Sequence, residues 1–221
     1  MAHTIKILKI EKLTHDVKRF TTEKPEGYSF TPGQATEVAI NKEDYRDKKR
    51  PFTFTSLPED DHLEFTIKSY HDHDGVTKKI DSLEEGKEFI IDDAWGAIEY
   101  KGKGTFIAGG AGVTPFIAIL RDLRAKDELD GNRLLFSNKE IKDVIMQAEF
   151  EQMLGEDFIS TLTRDRSKGH KHGRINQGFL KDYVRSFSEH FYVCGPDQMV
   201  KDINEQLQDL GADSDSLVFE K

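Results

Sequence analysis

Cysteine is almost absent: the 221 residues hold one, Cys194. A single thiol cannot close an internal disulfide, complete a structural zinc site or ligate an iron–sulfur cluster. Long apolar runs are lacking as well. None approaches the roughly 20 residues that a membrane span needs, and Met1 to Lys6 lacks the apolar stretch of a secretory leader. A cytoplasmic protein without a membrane span is the expectation. Positive charge is in deficit. The formal net charge of −9 argues against nucleic acid or an anionic membrane as the principal partner. No phosphate-binding P-loop pattern, internal repeat or low-complexity tract is present.

What is there suits a soluble globular protein with a sizeable core: 36% hydrophobic and 33% charged residues. The length allows one large domain or two small ones. The first hundred residues read as short strands cut by turn residues. Leu63 to Lys68 alternates strictly, as a half-buried strand does; residues 35–40 and 88–92 are further strands. Gly27, Pro32-Gly33, Pro58, Gly75 and Gly86 punctuate them. Such a run of strands suggests a barrel or sandwich.

The pattern changes near Lys101 to Gly104. From there strands at 105–108, 133–137, 158–162, 190–194 and 217–219 alternate with helices at 114–125, 141–154, 179–187 and 197–210. That alternation predicts a doubly wound parallel sheet. The expected architecture is an N-terminal antiparallel β-barrel over residues 1–101, followed by a parallel-sheet α/β domain over residues 102–221.

Two segments carry chemistry. The first is Phe106 to Phe116, which reads FIAGGAGVTPF. Its glycines let the chain turn sharply after a strand and bring backbone close to a ligand. Thr114 suits an N-cap and Pro115 the first helical position. A helix N-terminus favours an anion such as a dinucleotide pyrophosphate. The ordinary Rossmann fingerprint is absent, because Pro115 stands where a third glycine would fall. A tight turn with no ligand is the alternative. The second segment is Arg50-Pro51-Phe52-Thr53. It supplies a guanidinium for phosphate, an aromatic ring for a flat ring system and a hydroxyl for a ring edge. An edge strand with an exposed arginine is the bland alternative.

Together these segments resemble the ferredoxin–NADP reductase superfamily. Its barrel motif Arg-x-Tyr/Phe-Ser/Thr is matched by Arg50, Phe52 and Thr53. Its Gly-x-Ser/Thr phosphate segment is matched by Gly75-Val76-Thr77. Asp93-Ala94-Trp95-Gly96 matches the barrel's closing turn in part, with Trp95 where proline is more usual. Gly109 to Pro115 matches the family's Gly-Gly-x-Gly-Val/Ile-Thr-Pro in full. Cys194-Gly195-Pro196, with Met199, matches its late Cys-Gly-Pro. The resemblance spans nearly the whole chain.

The resemblance implies a flavin-binding barrel, with FAD favoured over FMN by Gly75-Val76-Thr77. Arg50 would bind the flavin pyrophosphate, with Pro51 in the same segment. Phe52 would lie against the isoalloxazine and Thr53 near flavin N5. Ile67, Lys68 and Tyr70 would line the adenosine half, Tyr70 as a stacking candidate. Gly110, Gly112, Thr114 and Pro115 would hold NADPH or NADH. Cys194, backed by Gly195 and Pro196, would approach the nicotinamide; the alternative is a buried core thiol. Arg164 or Arg166, or Ser137-Asn138, would meet the adenosine ribose. The family's usual terminal aromatic is missing. Phe219 is a candidate to cover the flavin, and Glu220 to match the family glutamate.

The function implied is hydride transfer from NAD(P)H to bound FAD, with electrons passed to a separate acceptor protein such as ferredoxin, flavodoxin or an oxygenase component. The alternatives are a non-catalytic flavin-binding regulatory or assembly subunit, and a reductase of free flavin or quinone. Lys48 to Arg50 and Lys78-Lys79 would form a basic rim for an acidic carrier. No metal site is expected: His71-Asp72-His73-Asp74 has the composition of one but precedes Gly75 in the phosphate loop.

Overall fold

The structure is a computed structural model and describes residues 2–71, 75–96 and 98–219. The chain divides into two compact units. One holds residues 1–97 and 114–122; the other holds 98–113 and 123–221.

The first unit is built on six antiparallel strands: β1 (His3–Lys12), β2 (Val17–Glu23), β3 (Ala35–Ile40), β4 (Arg50–Thr53), β5 (His62–Lys68) and β6 (Glu88–Ile91). They lie in the order β4-β3-β6-β1-β2-β5. A bridge from Phe54 to Phe65 joins the end of β4 to β5 and nearly closes the barrel. Alternation explains the inside. Ile5 and Ile7 of β1, Leu63, Phe65 and Ile67 of β5, and Phe89 and Ile91 of β6 all point into one core with Phe20 and Phe54. Strand β1 is irregular: its register against β2 shifts between Ile7 and Lys9. This bulge leaves Leu8 exposed and turns Ile10 back onto the core. A short helix, α1 (Val76–Asp81), seals one end with Val76 and Ile80.

The second unit carries six strands, parallel throughout: β7 (Gly104–Gly109), β8 (Arg133–Asn138), β9 (Phe158–Leu162), β10 (Lys171–His172), β11 (His190–Cys194) and β12 (Leu217–Phe219). Their order is β10-β9-β8-β7-β11-β12. The order reverses at β7, so the C-terminal ends of β7 and β11 flank the switch point where such sheets bind ligands. All six residues of β7 are buried, as expected of a strand covered on both faces. Helices α2 (Thr114–Ala125), α3 (Gln147–Leu154), α4 (Gln177–Tyr183) and α5 (Asp197–Asp209) connect the strands. The barrel followed by a parallel sheet is the expected architecture.

Three local expectations need correction. The helix expected over 141–154 is broken. A 3-10 turn at Ile141–Asp143 precedes α3, and Met146 between them sits at φ 53°, a left-handed conformation that interrupts the helix. The helix expected over 179–187 runs instead from Gln177 to Tyr183, because Asn176 caps it and Val184 is extended. Thr114 is not an N-cap. Gly110–Val113 form a 3-10 turn that runs directly into α2, so the helical segment begins at the glycines themselves.

Candidate functional site

In the second unit, the glycine turn and the Cys194-Gly195-Pro196 segment lie against one another. Strand β11 pairs with β7 so that Cys194 faces Ala108. A Cβ on Gly112 would fall 2.4 Å from the Cys194 carbonyl oxygen and 2.6 Å from the Gly195 Cα. A Cβ on Gly109 would meet the Met199 sulfur at 2.4 Å, and one on Gly195 would approach Gly109 Cα at 3.2 Å. Two backbones therefore pass each other where neither can carry a side chain. Because the turn is helical from Gly110 onward, the N–H groups without intrahelical acceptors fall at the turn itself rather than at Thr114 and Pro115. The turn sits at the switch point of the sheet.

Cys194 is buried at 7% exposure and borders a cavity of about 620 Å³ that Gly195, Val200, Asn204, Gln208 and Phe219 also line. The structure thus brings Phe219 to the same cavity as Cys194. Glu220 lies outside the described residues. At the opposite side of β7, Arg164 and Arg166 are exposed after β9. The Arg164 N–H donates to the Lys139 carbonyl at 2.9 Å, so the loops after β8 and β9 are tied together. Asn138 between them is 5% exposed, yet its side-chain Nδ2 and Oδ1 have no hydrogen-bond partner. A buried amide without partners calls for an explanation, since such groups are nearly always hydrogen-bonded. Hydrogen bonds from Ser167 and the Arg166 N–H hold the nearby Asp165 carboxyl below the usual carboxylate range.

In the first unit, β4 is the strand at the end of the sheet order, and its residues Arg50 and Pro51 are exposed while Phe52 and Thr53 are half-buried. Alternation sets Arg50 and Phe52 on one face and Pro51 and Thr53 on the other. Among the described residues the Arg50 guanidinium donates only to its neighbour's carbonyl, Lys49 O, at 2.7 Å. Phe52 packs against the rim of the barrel core. Gly75 stands in the N-cap position of α1 with no side chain occupying the cap, and Val76 and Thr77 follow in its first turn. Backbone N–H groups of that kind suit a phosphate. Tyr70 is 46% exposed. Ile67, by contrast, is a core residue, and Lys68 is ion-paired to Asp16 at 2.6 Å. Of that trio Tyr70 alone is exposed.

Trp95 escaped notice in the sequence as anything beyond an unusual substitution. Ala35 pairs with Thr53 on one side and with Trp95 on the other, and Trp95 is a large exposed hydrophobe. The signal was a tryptophan in a glycine-bounded turn, where packing alone does not call for one. Among the described residues no cluster could hold a metal ion. Asp72 to Asp74, in the sequence flagged for metal composition, lie outside them.

The FAD-binding domain family matches residues 2–94, and the oxidoreductase NAD-binding domain family matches residues 106–205. The chain belongs to the ferredoxin–NADP reductase superfamily. As a member of that superfamily it is similar to NADH-cytochrome b5 reductase 2 of Mycosarcoma maydis, at 26% identity over 88% of this chain and 62% of that protein. It is also similar to the ferredoxin–NAD(P)(+) reductase component of the naphthalene 1,2-dioxygenase system of Pseudomonas putida, at 24% identity over 96% of this chain and 67% of that protein. The chain spans about half to two thirds of the length of such relatives. The fold is that of the FAD/NAD-binding domain of nitric oxide dioxygenase from Vibrio cholerae O1 biovar El Tor. The TM-score is 0.87 at 18% identity, covering 98% of this chain and 97% of that one. A ferredoxin NADP+ reductase from Neisseria gonorrhoeae with bound FAD and NADP gives 0.84 at 21% identity, covering 95% and 92%. No helix among the described residues is long and apolar enough to cross a membrane.

Proposed function

We propose that this superfamily member transfers a hydride from NADH or NADPH to bound FAD and delivers the electrons to a separate acceptor protein. The observation that carries the reading is the side-chain-free passage of Gly112 against Cys194 and Gly195 at the switch point. Packing demands glycine at 112, and the bare turn it allows opens the helical segment at the switch point, where a nucleotide phosphate would approach.

Bound FAD would let a two-electron donor serve one-electron acceptors, chemistry that no side chain supplies. Residues 1–101 hold it in this reading. Arg50, which has no carboxylate partner among the described residues, clamps pyrophosphate, and the start of α1 at Gly75, Val76 and Thr77 donates backbone N–H groups to it. Phe52, with Pro51 beside it, and the exposed Trp95 offer apolar surface beside the ring system. Thr53 presents a hydroxyl at the ring edge. Residues 102–221 hold the nicotinamide nucleotide. Gly110 and Gly112, with Thr114 and Pro115 just inside the helix, receive its pyrophosphate. Cys194, Gly195 and Pro196 shape the nicotinamide end, and Phe219 walls the adjoining cavity. Asn138 and Arg164 flank the ribose site. Asn138 needs a partner, and its orphan amide makes it the stronger candidate.

The acceptor is taken to be a protein such as ferredoxin, flavodoxin or an oxygenase component, in the cytoplasm. A basic rim is a weak argument for it. Lys49 is paired with Asp92 at 2.5 Å and Lys48 lies over the Tyr45 ring, so two of its cations are already engaged.

The deciding experiment is a visible spectrum of the purified protein, followed by anaerobic addition of NADH and, separately, NADPH. A yellow protein bleached by either supports the reading. A yellow protein bleached by neither indicates a non-catalytic flavin-binding subunit. A colourless protein that turns over added flavin or quinone indicates a reductase of free substrates.

A further inference from the structure

Glu64, on β5, is 7% exposed and is the one charged residue that is buried among those described. A buried carboxylate is costly unless paired and hydrogen-bonded, and this one is. Its Oε1 accepts from Arg121 Nη1 at 2.7 Å and from the Thr55 hydroxyl at 2.8 Å. Its Oε2 lies 3.6 Å from Arg19 Nε. The same Arg121 nitrogen donates to the Thr55 carbonyl at 2.6 Å. Thr55 in turn shares a 3.2 Å contact with the Thr66 hydroxyl.

The position of Arg121 gives this network its meaning. It stands two turns along α2 from Thr114, about 10 Å at the helical rise. Residues 115–120 between them are all apolar and all buried. A close-packed apolar surface holds its place by interdigitation; a guanidinium fork adds a directional constraint. Thr55 lies two residues beyond Thr53. Thus one arginine joins the helix whose first turn would meet the nicotinamide nucleotide to the segment that would hold the flavin.

We propose that Arg121 is a positioning residue for hydride transfer: through Glu64 and Thr55 it sets the place of the nucleotide-binding end of α2 relative to Thr53. The proposal rests on the reductase reading given above. Buried ion pairs add little net stability but are well suited to fixing a register, so stability and positioning are separable here.

The double variant Arg121→Met/Glu64→Leu separates them, since it removes both charges together and leaves neither orphaned. It is expected to melt within a few degrees of the parent, to retain FAD, and to bind NADP+ or NAD+ within about twofold of the parent by calorimetry. Its anaerobic flavin reduction by the preferred nucleotide is expected to slow about tenfold or more, and the long-wavelength absorbance of stacked nicotinamide and flavin to weaken, because small misplacements of reacting groups are costly in rate. Arg121→Lys is the second variant. It keeps the charge but not the fork, and is expected to fold normally while reducing flavin several-fold more slowly. Parent-like reduction in either folded variant overturns the positioning role and leaves the reductase reading standing. A parent protein that neither nucleotide reduces sinks both.

Discussion

The Tyr192 hydroxyl reaches back 90 residues to donate to the Gly102 carbonyl at 2.7 Å, and accepts from the Lys101 and Gly102 N–H groups at 2.9 and 3.1 Å. Its ring stacks on Phe106 at 4.4 Å and lies 5.7 Å from Tyr100. One side chain of β11 therefore fixes the chain as it enters β7. Tyr192→Phe keeps the stack and orphans the backbone groups, which should lower unfolding stability by about 1–3 kcal/mol, measurable by urea titration at constant m-value. Burial also pushes the hydroxyl up to about 12 from 10.0. The unfolded phenol ionises first, so native stability should fall as pH rises from 10 toward about 12. Tyr192→Phe should lack that portion of the alkaline loss.

Gly112→Ala and Gly110→Ala should differ sharply although both lie in one turn. A methyl at 112 collides with backbone of Cys194 and Gly195, which cannot rotate away. Nucleotide affinity should fall at least about tenfold as the two backbones part, roughly the 1.4 kcal/mol that a modest shift costs. A methyl at 110 meets open space and only the strain of φ +53°, about 1–2 kcal/mol. Calorimetric titration of NADP+ and NAD+ would expose the contrast; equal losses at both positions would refute the packing argument.

Glu189 accepts a 2.6 Å hydrogen bond from Thr105 at the far end of the sheet. Burial raises its carboxyl above the ordinary range, against the opposing pull of the Thr105 hydroxyl, Arg133 and Arg185. The unfolded carboxyl therefore ionises first. The native state is favoured at acid pH and loses that advantage as pH rises through the native value. Glu189→Gln retains an acceptor for Thr105. It should melt higher than the parent at neutral pH, with the difference shrinking as the solution is acidified. Arg133 and Arg185 keep a carboxylate partner in Asp157.

Arg50→Ala tests the flavin clamp without disturbing the barrel, because Arg50 is exposed and, among the described residues, bonds only to a neighbouring carbonyl. Loss of a charge-assisted phosphate contact, about 1.5–3 kcal/mol, should weaken FAD binding by about 10- to 100-fold. Fluorescence titration of flavin into the apoprotein reads this directly, while the apoprotein's melting temperature should stay put.

Much of the fold was legible because apolar residues recur with a regular period, even where, as over residues 63–67, both faces of the strand are buried. The alternation of Leu63, Phe65 and Ile67 marks β5, and the unbroken apolar run of β11 marks a strand covered on both faces. Helix α2 was legible at both ends. The break at Met146 was hidden, since Ile141, Val144, Ile145 and Ala148 keep a helical spacing across it. Strand β1 was hidden for the converse reason: its bulge shifts the apolar positions from Ile5 and Ile7 to Ile10 and spoils the alternation. In the candidate site, the glycines and Cys194 were legible because each sits in a short local motif. Glu64 and Arg121 were not. Their partnership spans 57 residues, and neither sits in a pattern that distinguishes a buried ion from a solvated one.

The assignment of residues 114–122 to the barrel side has a practical corollary. Severing the polypeptide near Ala97 would strip the N-terminal fragment of residues 114–122, which belong to the same compact unit, leaving Glu64 without Arg121. Separately expressed halves should therefore be poorly behaved, and a trimmed flavin module should become well behaved once a peptide carrying residues 114–122 is fused back to it.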